Sequence, residues 1–95
     1  MKSPVDKLLK QHHALNQSDG QKVLSHVQRD IKRGGADWVL NTLMIEGCDV
    51  PFKFKRKQAV RSLQGQRVNL TYYRSVEDIA GIMMEIMKVV RIKIA

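Results

Sequence analysis

The sequence predicts an α+β chain. Two N-terminal helices, about residues 4–15 and 19–33, pack on a small antiparallel β-sheet or barrel of SH3/OB-like shape. Three observations predict it. Cap-like patterns open two helix-spaced apolar stripes in the first third of the chain. Residues 50–57 and 67–73 alternate apolar with polar, the period of a strand with one face buried. The chain ends on the β-branched run Val89-Val90-Arg91-Ile92-Lys93-Ile94. A winged-helix-like arrangement is the alternative, if 37–46 forms a third helix ahead of a hairpin.

At the N-terminus, Ser3 suits a cap, Pro4 the first helical position and Asp6 a capping box. Val5, Leu8, Leu9, His12 and Leu15 then share one helical face. Residues 1–17 read as a loosely packed helical arm, because chain ends fray. Ser18 with Gln21 offers a second capping box, and Val23, Leu24, Val27 and Ile31 follow at helical spacing. Arg29, Lys32 and Arg33 suit the dipole at that helix's end, and Gly34-Gly35 stops it.

Trp38–Glu46 mixes both signals, and its Trp38, Val39, Thr42 and Ile45 favour a strand. Glu46-Gly47-Cys48-Asp49 reads as a turn. Next, Val50, Phe52 and Phe54 take one face while Lys53, Lys55 and Lys57 take the other; Pro51 restricts this to an edge strand or a strand start. Ala59, Val60 and Leu63 suit either a helical turn or more strand. Val68, Leu70 and Tyr72 face the core, and Arg67, Asn69, Thr71 and Tyr73 face outward. A loop or turn is expected near 75–81, then a long strand with Val90, Ile92 and Ile94 inward. A helix over 76–88, opened by Ser75 and Asp78, is the alternative there.

A chain of 95 residues is one domain, 1–95. Hydrophobic residues make up 43% and charged residues 27%, which excludes a disordered class. One cysteine, Cys48, rules out an internal disulfide. No apolar run approaches the ~18 residues of a membrane span, and the first residues lack a signal-peptide core. A reducing, cytoplasmic location is the expectation.

The net charge is +8. Residues 50–76 hold seven cations and no acidic residue, whereas residues 1–49 carry seven Lys/Arg against six Asp/Glu, and 77–95 carry three of each. Four of the five aromatics, Phe52, Phe54, Tyr72 and Tyr73, fall in the same basic window. Lysines two apart on a strand stand about 7 Å apart, near the phosphate spacing of an extended nucleic acid strand. The expected function is therefore binding of single-stranded RNA or DNA with little sequence preference. Lys53, Lys55, Arg56, Lys57, Arg61, Arg67 and Arg74 would contact phosphates, and Tyr73 would stack on bases. A solvated edge strand also carries lysine rows, as a guard against aggregation. A complete lack of acids over this window exceeds what that guard requires.

Other chemistries have weaker support. A recognition helix over Trp38–Glu46 would contain no Lys or Arg, the residues that most often read guanine. His12-His13, His26 and Cys48 lack metal-ligand spacing, and no phosphate-loop motif occurs, so neither metal nor cofactor is expected. The carboxylates are scattered, and the chain reads as a non-enzyme. A metal-free nuclease needs only a His and a Lys or Glu, so the composition leaves that chemistry open. The rival functional class is a protein-interaction or regulatory module. It would dimerise, or capture an acidic partner, through the apolar C-terminal strand and the Met83, Met84, Met87 cluster.

Overall fold

A computed structural model describes residues 15–95, the side chain of Arg33 excepted. Five strands are present: β1 (Asn16–Arg33), β2 (Ala36–Ile45), β3 (Phe52–Arg56), β4 (Arg67–Ile79) and β5 (Ile82–Ile94). They close into one barrel in the order β1-β2-β3-β5-β4. All pairings are antiparallel except β3 with β5, which is parallel at Phe52↔Met87 and Lys53↔Lys88. This is a five-stranded Greek-key barrel, the general shape of an OB-fold.

The α+β expectation is thus overturned, because the described residues contain no helix. The expected helix 4–15 lies, apart from Leu15, outside the described residues. The expected helix 19–33 is the body of β1. Of its apolar stripe, only Val23 is fully buried; Leu24 and Val27 face solvent. The winged-helix alternative and the helix over 76–88 fall for the same reason. Helical spacing is a local signal, and ten register pairs with β2 outweigh it.

Gly34-Gly35 has a different role from the expected helix stop. Both residues have positive φ, 60° and 79°, and they join the paired Arg33 and Ala36. Positive φ at both central positions makes the two-residue turn whose twist matches that of its strands. Ala80-Gly81 repeats the device between Ile79 and Ile82, with φ of 52° and 84°. The expected loop over 75–81 therefore shrinks to these two residues.

β1 serves two neighbours because it bends. Register shifts between Ser18 and Gln21 and between Val23 and Ser25 turn its first half onto β4 and its second half onto β2. The core gathers Val23, Leu43, Ile45, Phe52, Phe54, Val68, Leu70 and Met87, with Cys48, Val50, Leu63, Tyr72, Val89 and Ile92 packed against them. The sequence alternation holds in β3 and in the first half of β4: Phe52 meets Tyr72 edge-on at 4.8 Å. It fails at the end of β5, where Val90 is 41% and Ile94 65% exposed. The cause for Val90 is a register shift: Tyr72 pairs with Val89 and Thr71 with Arg91, leaving Val90 as the extra residue.

Residues 57–66 form neither a helical turn nor more strand; they run as an irregular cover over one side of the barrel. Polar side chains of β1 hold the cover. Gln28 bonds Val60 twice, Nε2 donating to its carbonyl at 2.7 Å and Oε1 accepting from its N–H at 2.8 Å. The Leu63 N–H donates to His26 Nδ1 at 2.9 Å. That bond leaves the ring proton on Nε2, which donates to Asn41 Oδ1 at 2.7 Å. Asn41 is fully buried and gives its own Nδ2 to the Val39 carbonyl. His26, Gln28 and Asn41 are thus interior residues whose hydrogen bonds are all internal.

Candidate nucleic-acid interface

β3 is short, and only its first two residues pair with β5. Beyond them the strands diverge, and the outer long half of the β4–β5 hairpin stands beside β3 as an arm. An open groove of about 470 Å³ lies along this line. Its walls include Lys53 and Lys55 from β3, Tyr73 and Glu77 from β4, and Ile86 and Lys88 from β5, with Ile31 and Leu40 completing the rim.

Register explains the convergence. Lys53 is the parallel partner of Lys88, and Lys88 is the antiparallel partner of Tyr73. The three side chains form one row across three neighbouring strands, on the side opposite the inward Phe52, Met87 and Tyr72. Lys53 is largely buried, its side chain 15% exposed, and its ammonium donates to Glu77 Oε1 at 3.0 Å. Lys88 is exposed and has no acidic partner among the described residues. Two lysines beside a compensated third leave the groove cationic over an apolar floor of Tyr73, Ile86 and Leu40.

The expected set of basic residues divides. Lys53, Lys55 and Tyr73 meet in the groove. Arg56 lays its guanidinium over the Phe54 ring at 4.8 Å and donates to the Lys55 carbonyl. Lys57 sits 4.1 Å from the centre of the Trp38 ring. Arg61 lies exposed on the 57–66 cover. Arg67 pairs with Lys22 and donates to the Gly20 carbonyl at 2.9 Å. It stands six positions from Tyr73, about 20 Å along the strand. Arg74 alternates away from Tyr73 and pairs with Glu85 at 3.0 Å on the arm. One basic face for all seven cations is therefore not what the fold builds.

Tyr73 also differs from expectation in its exposure. It does point to the outer face, but the groove buries it to 8%, so its ring is a floor and not a free stacking platform. Burial pushes its phenol above the ordinary tyrosine range. Trp38 is the aromatic nearer to solvent, half-buried on the outer face of β2 beside Lys57. Sequence reading missed Lys88, because a loop-or-helix assignment over 75–88 hid the strand phase. The alternation Met87-Lys88-Val89 was its signal.

Among the described residues no cluster of three or more His, Cys, Asp or Glu is placed to hold a metal. His26 spends both ring nitrogens on the cover, and Cys48 packs against the core with its thiol toward the Val50 carbonyl. His12 and His13 lie outside the described residues. No family model, curated protein or solved structure matches this chain.

Proposed function

We propose that this protein binds single-stranded nucleic acid in the groove between β3 and the β4–β5 arm, with little sequence preference. The observation that carries the reading is the convergence of Lys53, Lys55 and Lys88 on one apolar-floored groove, from strands far apart in sequence. A groove fits an extended strand better than a duplex. Its lysines meet phosphates, and Leu40 and Ile86 offer apolar surface to bases. Small barrels of this shape commonly bind oligonucleotides on the corresponding face, which is an analogy of fold and adds only modest weight.

The test is a titration of a fluorescent oligonucleotide at several salt concentrations, with Trp38 emission as a second signal. Affinity falling steeply with salt supports the reading. Absence of binding at low salt ends it.

A specific observation favours a second reading, a protein-interaction module. The arm exposes Ile79, Ile82, Met83 and Met84 at 43%, 63%, 65% and 48%. A concentrated apolar tip is a common partner-binding feature. Light scattering across a concentration range separates the readings: self-association abolished by Met83→Ser favours the second.

A further inference from the structure

We infer that Glu77 occupies the place of a ligand phosphate over Lys53, so that the groove selects a polyphosphodiester strand over isolated anions. The inference rests on the nucleic-acid reading of the groove. Lys53 is the most enclosed cation there, and burying an ammonium without a counter-ion is costly. Glu77 supplies that counter-ion from the arm, one carboxylate oxygen 3.0 Å from Nζ. A phosphate reaching Lys53 must displace this carboxylate, exchanging one charge-assisted bond for another. A single phosphate therefore gains little at Lys53. A strand that also engages Lys55 and Lys88 collects the added contacts and drives the exchange.

Glu77 also links ligand and arm. It lies beyond the last β4 residue paired with β1, in the part of the hairpin where β4 and β5 pair only with each other. Displacing its carboxylate releases this tie between arm and β3.

The experiment compares the full chain with Glu77→Gln and with Glu77→Gln/Lys53→Gln. Gln keeps the shape and removes the charge at a side chain 38% exposed, so the fold is retained. With oligothymidylate, Glu77→Gln is expected to bind about two- to fivefold tighter, since a partly exposed ion pair no longer competes. Its slope of log affinity against log salt should steepen by about 0.7, one added phosphate contact. Adding Lys53→Gln should cancel both gains. Free thymidine monophosphate should bind Glu77→Gln more tightly than the parent chain. Thermal unfolding without ligand should show Glu77→Gln less stable, and oligonucleotide should raise its melting temperature more than the parent's.

If the parent chain binds and Lys55→Gln or Lys88→Gln weakens it, while Glu77→Gln leaves affinity and slope unchanged, the inference falls and the reading stands. If neither the parent nor Glu77→Gln binds at low salt, both fall.

Discussion

The β4–β5 hairpin is two different objects along its length. Near its open end, Val68 and Leu70 are fully buried and β1 flanks β4. Toward the turn, Ile79, Ile82 and Met83 are as apolar and pair just as regularly, yet they face solvent. The difference is the third layer. In the barrel half, neighbouring strands and the opposite wall cover the inner face. The arm has only its own two strands. Burial here is a property of neighbours at long range, and residue type sets only the opportunity.

The sharpest way to break this comparison is to truncate the same kind of side chain in both halves. Leu70→Ala should cost about 3 kcal/mol in urea unfolding, through lost burial and a residual cavity. Ile82→Ala should stay within about 0.5 kcal/mol. Equal costs would mean that the arm is packed in solution, as it would be in a dimer.

Next in size is the barrel's other covered side. His26→Ala removes the acceptor of the Leu63 N–H and the donor to buried Asn41. About 2 kcal/mol should be lost, with faster amide exchange across 57–66. A cover that exchanges at the parent rate would show that Gln28 alone holds it.

Within the groove, Lys88→Gln should weaken oligonucleotide binding about threefold and reduce the salt slope by about 0.7. Arg67→Gln, about 20 Å away along β4, should change neither. Comparable losses from both variants would restore a diffuse basic surface over a groove.

Tyr73 marks the boundary between the halves, and pH reports on it. Its phenol is raised by burial, so the folded chain holds that proton more tightly than the unfolded chain does. The stabilisation is therefore full below the ordinary phenol range near 10 and is lost as pH climbs through the folded value. Absorbance titration should show one tyrosine ionising late, and Tyr73→Phe should flatten alkaline unfolding. A late tyrosine that persists in Tyr73→Phe would place the burial elsewhere.

The smallest effect belongs to the arm's turn. Ala80 holds φ of 52°, a conformation that costs an L-residue about 1 kcal/mol. Ala80→Gly should relieve part of this, offset by the entropy of a freer unfolded chain. A gain of a few tenths of a kcal/mol in unfolding free energy is expected; a loss would indicate that the turn differs in solution.

Some of this was legible in the chain. Lys53 and Lys55 outward with Phe52 and Phe54 inward follows from alternation, as does Tyr72 against the core. The Gly-Gly pair also carried its meaning, since two glycines between β-prone segments are a hairpin signal. It was read as a helix stop because the apolar residues before it fell at helical spacing. That spacing misled because β1 turns polar side chains inward. His26 and Gln28 are interior only through partners at Asn41, Val60 and Leu63.

The sequence by itself determined which side of β3 and of early β4 each residue takes, and it confined the excess charge to 50–76. Those are local properties: the strand has a period of two, and charge is composition. Only the tertiary structure decided that 16–33 is a strand, that Lys88 joins Lys53 and Lys55, and that Tyr73 is a floor. Each depends on pairing between distant segments, such as Lys53 with Lys88, and no local period encodes such a pairing. The seven cations of one basic stretch became a groove of three lysines, one imported from outside it, because strands and not sequence windows set which charges meet.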